Sequence, residues 1–478
     1  MKKAFLISLL AALWTAASAQ TAREFTLPLS SDGAAQLVVY LPEQPNGRAV
    51  VCCPGGGYFM LSNTHEGAAW SEYFNGKGIA FALVNYRIPH GDRTLPVSDA
   101  EQAMRTMRDS AAVWHLNPHD IGIMGSSAGG HLASTLATHE PFETRPDFQI
   151  LFYPVITMGP GTHQGSLEGF LGQEKDDPAL IQLYSNELQV KRHLTPPAIL
   201  LLSNDDDLVP PLPNAVAYYT AMREAGNSCA LHIYPSGGHG YGITPNFPYR
   251  EQMLSDLSAW LDKLPSPSPN AFRVACIGDS ITDGDGIDLR DVNGYPAQLQ
   301  KLLGDRYYVK NFGVSARTMM HSGDHPYMDE EAWRDALAFA PDVVVIKLGT
   351  NDSKGYNWAH KKDFAVDLGK MLDALRALPT RPRIFLCKPI PAFKDSWTIS
   401  EAVIDGEIGP ILENTVKKEH LSGLIDLHAV FEGHPEWVLP DGIHPNRFGA
   451  RKIAETVAKA IDPSVEIPQT NPFPWLMN

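Results

Sequence analysis

Cysteine is scarce. The chain has five in 478 residues (Cys52, Cys53, Cys229, Cys276 and Cys387), an odd number with no metal-type spacing. Each lies inside a strand-like run, so the sequence predicts buried free thiols, no disulfide framework and no structural metal. Cys52 and Cys53 are neighbours on one strand, which sends their side chains to opposite faces. Basic runs are also missing, and the net charge is −15. That balance argues against nucleic acid and anionic membrane surfaces as partners. Beyond the N-terminal leader no apolar run is long enough to span a bilayer, so no membrane insertion is expected. Internal repeats are absent too.

What is present reads as globular: 44% apolar and 19% charged residues, enough chain for two or three domains with their own cores. The N-terminus stands apart. Lys2-Lys3 precede an apolar run over 4–14, and Ala17-Ser18-Ala19 forms a small-residue cleavage site. Residues 1–19 therefore read as a secretory signal peptide, with the mature chain starting at Gln20 and located outside the cytoplasm, secreted or periplasmic. No cysteine follows the cleavage point, so no lipid anchor is expected there.

From residue 24 two leading strands (23–28 and 35–41) give way to alternating β and α patterns. Strands are expected over 49–53, 79–85, 121–124, 148–153, 198–202 and 230–234. Helices are expected over 65–78, 97–115, 129–138, 212–225 and 249–264. Such alternation predicts a parallel, doubly wound α/β sheet. Residues 154–195 break the rhythm: irregular, glycine-rich and polar, they read either as a lid or substrate loop or as a plain surface excursion. The run Pro265-Ser266-Pro267-Ser268-Pro269-Asn270 suits neither helix nor sheet and reads as an extended connector. This divides the chain into a domain over 24–264, a linker over 265–271, a second α/β domain over 272–462 and a proline-rich tail over 463–478. In the second domain strands are expected over 272–277, 307–312, 343–348, 384–388 and 424–427, and helices over 296–303, 364–378, 403–418 and 446–461.

Each domain carries a nucleophile pattern. In the first, Gly125-Ser126-Ser127-Ala128-Gly129-Gly130 follows a strand and opens a helix, the context in which a sharp turn lifts Ser127 Oγ out of the sheet edge. A serine hydroxyl needs a base, an orienting acid and donors for the oxyanion. His239, in Gly237-Gly238-His239-Gly240, follows one strand as the base. Asp205-Asp206-Asp207 follow another and supply the acid, the other two being solvated or capping. Three consecutive carboxylates cannot all face one cation, so no metal is assigned. Pro54-Gly55-Gly56-Gly57-Tyr58 follows the strand over 49–53, and its Gly56 and Gly57 N–H groups can join the Ala128 N–H in an oxyanion hole.

In the second domain four pieces end successive strands: Gly278-Asp279-Ser280, Asn311-Phe312-Gly313, Gly349-Thr350-Asn351-Asp352, and Asp441-Gly442-Ile443-His444-Pro445 before the last helix. Ser280 fits the nucleophile, His444 the base, and Asp441, three residues earlier, its orienting acid. The Ser280 and Gly313 N–H groups and the Asn351 amide would hold the oxyanion.

These motifs carry two resemblances. PGGGY at 54–58, GSSAGGH at 125–131 and GGHGYG at 237–242 make residues 24–264 similar to bacterial carbohydrate esterases of the α/β-hydrolase superfamily, which include acetylxylan and feruloyl esterases. That likeness extends to a D-x-x-V-P loop, which selects Asp206 as the acid with Asp207 as runner-up. Cys53-Pro54 stands where many relatives have histidine, without consequence for a hole built from backbone. His131 is read as structural. Residues 272–461 resemble the SGNH (GDSL-type) hydrolases through Ser280, Gly313, Asn351 and His444, which implies a flavodoxin-like fold. Ala316 sits where relatives often have a second glycine. His321 and His325 are read as parts of a polar loop near the cleft. Together the resemblances imply a cofactor-free esterase that removes acyl groups, chiefly acetyl, from plant polysaccharides such as acetylated xylan. Feruloyl release by the first domain is the alternative, and a non-catalytic carbohydrate-binding role for one domain the more distant one.

Overall fold

The computed structural model describes residues 23–468; the leader expected over 1–19 and residues 469–478 of the tail lie outside the described residues. Two sheets organise the molecule. The first has eight strands: β1 (Arg23–Pro28), β2 (Gln36–Leu41), β3 (Ala49–Cys53), β4 (Ala80–Asn85), β5 (Ile121–Ser126), β6 (Gln149–Phe152), β7 (Ala198–Ser203) and β8 (Cys229–Tyr234). Their order is β1-β2-β4-β3-β5-β6-β7-β8. Only β2 runs against its neighbours, pairing antiparallel with β1 and β4. The rest is parallel, and the central strands β3, β5 and β7 are buried along their whole length. This explains their unbroken apolar runs, because helices cover both faces of such a strand.

The second sheet has five parallel strands, β9 (Phe272–Gly278), β10 (Tyr307–Gly313), β11 (Val343–Lys347), β12 (Arg383–Lys388) and β13 (Gly423–Asp426), in the order β10-β9-β11-β12-β13. Period-two alternation sends Ala275, Ile277, Val344 and Ile346 into one core, and Val274, Cys276, Val343 and Val345 into another on the opposite face. A sheet with a core on each side is doubly wound, as the alternating pattern predicts. In both sheets the strand order reverses once among parallel strands, at β3/β5 and at β9/β11, where open α/β sheets leave a crevice at their carboxyl ends.

Several local expectations change. Residues 154–195 are not irregular throughout: helices Gln164–Leu171 and Pro178–Tyr184 occupy much of the segment. His163 and Asp177 cap them with their side chains, a signal that the local glycine and polar content obscured. The helix expected over 65–78 is interrupted. A wide turn over Thr64–Ala68, non-helical at Gly67, precedes a short helix Trp70–Asn75. Helix Glu331–Ala338, absent from the sequence reading, packs Ala332, Trp333 and Ala336 inward.

The connector over 265–271 has no regular structure, but the first sheet's domain holds it. Arg48 is paired with Asp120 at 3.0 Å and donates to the carbonyls of Leu261, Leu264 and Pro265. Asn117 donates to the Pro267 carbonyl, and Ser266 to Asp120. Further contacts join the two halves. Arg145 donates to Asp335 and Glu331, and Lys191 pairs with Glu331. The Phe142 ring meets Phe339 edge-on. A cleft of about 460 Å³, lined by residues including Phe142, Arg145, Lys310 and Asp335, remains between them.

Candidate active sites

At the end of β5 the backbone turns through Ser127, whose φ of 52° and ψ of −122° lie outside the ordinary regions. The turn is possible because strand, loop and helix approach closely. A Cβ on Gly125 would come within 2.1 Å of the Gly129 carbonyl oxygen, and one on Gly129 within 2.1 Å of the Cys53 carbonyl oxygen. Helix Ala128–His139 starts immediately, so its first N–H groups point toward the crevice.

The three expected partners meet. His239 Nε2 lies 2.8 Å from Ser127 Oγ, and His239 Nδ1 lies 2.7 Å from Asp206 Oδ2. Asp206 is buried, and its other oxygen accepts the Leu208 and Val209 N–H groups. Asp207 is exposed to solvent and bonds nothing at the site. Asp205 has its own task, since its Oδ1 accepts the Gly238 N–H at 2.8 Å beside the histidine. The N–H groups of Gly56, Gly57 and Ala128 have no protein acceptor among the described residues. His131 is fully buried under the turn. Its Nδ1 lies 2.8 Å from the Tyr58 hydroxyl and its Nε2 2.9 Å from the Tyr184 carbonyl oxygen. Burial pushes its pKa down to about 4, so the ring stays neutral and fixes Tyr58 beneath the glycine loop.

Two buried groups were not found from the sequence. Glu66 Oε2 accepts the Gly55 N–H at 3.0 Å, and its Oε1 accepts the Tyr153 hydroxyl at 2.8 Å. Tyr153 oxygen in turn accepts the Gly242 N–H, and its ring lies 4.8 Å from that of His239, edge-on. Burial first, and the Glu66 charge next, push the Tyr153 hydroxyl far above its usual pKa, so it keeps its proton as donor. One network thus ties the loop after β3 to the loop that carries the histidine. A lone glutamate and tyrosine 87 residues apart leave no local signal.

The second site assembles at the β9/β11 crevice. Ser280 opens the one-turn helix Ser280–Asp283, capped by Asp279, whose side chain accepts the Ile281 N–H. His444 Nε2 lies 2.8 Å from Ser280 Oγ, and Nδ1 lies 3.0 Å from Asp441 Oδ2. Burial alone would raise the Asp441 pKa. The N–H groups of His444 and Ile443, together with the imidazole, outweigh it and hold the carboxyl below its usual value.

Gly313 requires a correction. Its N–H donates to Asn311 Oδ1 at 2.8 Å, within its own strand end, and is not free for an oxyanion. Its lack of a side chain serves packing instead, since a Cβ there would meet the Asp283 nitrogen at 2.3 Å. Ser315, Ala316 and Arg317 on this loop have N–H groups with no acceptor among the described residues, and Ala316 alone of the three has a left-handed φ, 64°, the value that favours glycine. Asn351 Nδ2 donates to the Arg317 carbonyl at 3.2 Å, which leaves its second N–H for a ligand.

Beneath these groups lie charges that the motifs did not reveal. Lys347 and Asp279 form a fully buried pair at 3.0 Å, and Lys347 also reaches Thr350 Oγ1 at 2.7 Å. Asp352 accepts the N–H groups of Met319 and Met320, both at 2.9 Å. Burial pushes its pKa up to about 7 against those bonds. His321 lies on the surface 3.5 Å from Asp329, part of a polar loop. Beside His444 stands Trp397, 57% exposed, with ring centroids 5.4 Å apart and the planes steeply inclined. At the first site Phe59 and Met60 are likewise exposed, and His163 comes down over Gly57.

Two α/β domains, each with a serine hydroxyl, an imidazole and a carboxylate in sequence, define a carboxylic ester hydrolase with two hydrolase domains. Residues 37–150 match the BD-FAE family, and residues 276–452 match the GDSL-like Lipase/Acylhydrolase family. An acetylxylan esterase of Xylanibacter ruminicola is 56% identical over 479 residues, spanning 96% of this chain and 99% of that relative. The chain belongs to the family of that acetylxylan esterase, a carbohydrate esterase family with two hydrolase domains. Endo-1,4-beta-xylanase B of Butyrivibrio fibrisolvens is 34% identical over 207 residues, 40% of this chain and 32% of that protein. A solved acetyl ester-xyloside bifunctional hydrolase from Caldicellulosiruptor lactoaceticus is 29% identical, covering 51% of this chain and 97% of its own, with a TM-score of 0.47.

Proposed function

We propose that the protein is a secreted esterase that removes O-acetyl groups from xylan or xylo-oligosaccharides through an acyl-serine intermediate in each domain. The observation that carries this reading is the pair of hydrogen-bonded relays, Asp206–His239–Ser127 and Asp441–His444–Ser280, each beside unused N–H donors. In each, the imidazole Nε2 takes the serine proton as Oγ attacks the ester carbonyl carbon. The oxyanion is held by the N–H groups of Gly56, Gly57 and Ala128 in the first site, and by Ser280 N–H, Ala316 N–H and Asn351 Nδ2 in the second. The imidazolium then returns the proton to the sugar oxygen as the C–O bond breaks. A water molecule, deprotonated by the same imidazole, attacks the acyl-serine, releases acetate and restores the hydroxyl.

The choice of a sugar ester is supported by the acetylxylan esterase relative and by the exposed Trp397 ring beside His444. A sugar ring offers a C–H face that an exposed indole such as Trp397 can cover. The short acyl group suits serines only 7% and 6% exposed. Export rests on the charged, apolar and small-residue order of residues 1–19. Cell fractionation tests it: activity confined to the cytoplasm of the native host would rule export out.

Acetate release from acetylated xylan by Ser127→Ala, Ser280→Ala and the double variant tests the chemistry. Each single variant should keep part of the activity and label with a fluorophosphonate at the remaining serine. The double variant should fall by about 10³-fold or more. A single variant that abolishes both turnover and labelling would leave one domain without esterase chemistry.

A further inference from the structure

The segment between helix Pro178–Tyr184 and β7 carries Lys191-Arg192-His193 across to the other half of the molecule. It ends on the turn that bears Ser280. Arg192 Nη1 donates to Asp283 Oδ2 at 2.7 Å and to Asp285 Oδ1 at 2.9 Å. His193 Nε2 lies 2.7 Å from Asp283 Oδ1 and 3.0 Å from the Asp283 carbonyl oxygen. Asp283 closes the helix Ser280–Asp283 and is 1% exposed. Burial would raise its pKa, but His193 and Arg192 overcome that and hold the carboxyl below its usual value. Among the described residues of the second domain only Arg290 reaches the same carboxylate, at 3.3 Å.

The contacts continue to the other side of the site. Ser315 donates to Asp285 Oδ2, and Ser315 precedes Ala316, one of the loop's free donors. His193 Nε2 also lies 3.4 Å from Asn311 Nδ2, in the carboxamide whose oxygen holds the Gly313 N–H. One loop of the first domain therefore holds the turn that carries the nucleophile directly, and reaches the loop over 313–316 through Asp285 and Asn311.

We infer that Arg192 and His193 are positioning residues of the Ser280 site, so the first domain completes the geometry of the second. The inference rests on Ser280 being an esterase nucleophile. Neither residue touches the reacting atoms. Arg192 neutralises a buried carboxylate three positions after the serine and reaches Asp285 beside Ser315, while His193 hydrogen-bonds the same carboxylate. Without them Asp283 keeps one long contact to Arg290, and the helix that aims Oγ is free to shift. A misplacement on the order of 1 Å costs up to roughly 10²-fold in rate.

The test uses the full chain carrying Ser127→Ala, in which p-nitrophenyl acetate turnover and fluorophosphonate labelling report Ser280 alone. Adding Arg192→Ala and His193→Ala should lower kcat and the labelling rate by about tenfold or more while KM moves less than about twofold, the pattern of lost transition-state geometry. Arg192→Lys should recover part of the rate. Lys191→Ala, on the same loop but paired with Glu331 at 2.9 Å, should leave it unchanged. A loop that only glues the domains together would give equal effects for Lys191 and for the Arg192/His193 pair, overturning the inference. A kcat within about twofold of the parent would overturn it as well. If the double variant does not fold, Arg192→Gln supplies the same comparison at a side chain 36% exposed. A Ser127→Ala chain that neither turns over nor labels would overturn the reading of Ser280 itself, and the positioning role with it.

Discussion

Asp205, Asp206 and Asp207 have the same chemistry and different surroundings. Only the Asp206 carboxylate meets the imidazole, with its second oxygen tied to two backbone N–H groups, while Asp207 faces water. In a Ser280→Ala background, Asp206→Asn should reduce kcat by about 10⁴-fold, as loss of the orienting acid does elsewhere, and Asp207→Asn should stay within about twofold. Equal losses at both positions would return the choice to open. His131 shows a second residue-scale effect. Its folded pKa is pushed down to about 4, against 6.5 when exposed. A histidine with a depressed folded pKa favours the fold above its unfolded value and loses that contribution as pH falls between the two. The stability of the first domain should therefore decline from pH 6.5 toward pH 4. His131→Gln, which can still accept from Tyr58 and donate to the Tyr184 carbonyl, should flatten the decline in urea titrations across that window.

At the scale of elements, loops at strand ends carry the chemistry while strands and helices set their positions. The segment over 154–195 illustrates how one excursion can serve both halves: His163 lies over Gly57 at one end, and Arg192 and His193 leave for the second site at the other. The loop holding Trp397 is anchored where it matters, because Ser396 Oγ donates to the Asp441 carbonyl at 2.6 Å. Its indole is positioned by that loop beside His444 but stays open to solvent. In the Ser127→Ala background, Trp397→Ala should raise KM for acetylated xylo-oligosaccharides by about 10-fold, a stacking loss of roughly 1–1.5 kcal/mol. Turnover of p-nitrophenyl acetate should change little. A KM increase shared equally by both substrates would show that the ring supports the histidine and not the sugar.

For the whole molecule, the decisive feature is a charged, buried junction between two hydrolase domains. Arg145 and Asp335 are 6% and 5% exposed, and Arg145 also reaches Glu331. Removing one partner of such a pair leaves the other buried and unneutralised, so Arg145→Ala should cost about 3 kcal/mol and separate the unfolding of the two domains into distinct transitions. An unchanged single transition would deny the junction that role. Much of this architecture was legible in the chain. Strand–helix alternation announced two doubly wound sheets. Ser127, Asp206, His239 and Ser280 sit in local motifs that follow strands at a sheet edge, while Asp441 and His444 share one motif in the loop before the last helix. What the sequence alone determined is thus short-range: the period of the elements, the turn chemistry of each motif, and which residue types could act. Tertiary structure decided which of three adjacent aspartates turns inward, that the Gly313 N–H is used within its own loop while Ala316 stays free, and that Glu66, Tyr153, Lys347, Arg192 and His193 stand behind the sites. The physical reason is that burial, hydrogen-bond partnership and charge neutralisation depend on neighbours brought together across tens or hundreds of residues, whose spacing along the chain carries no signal.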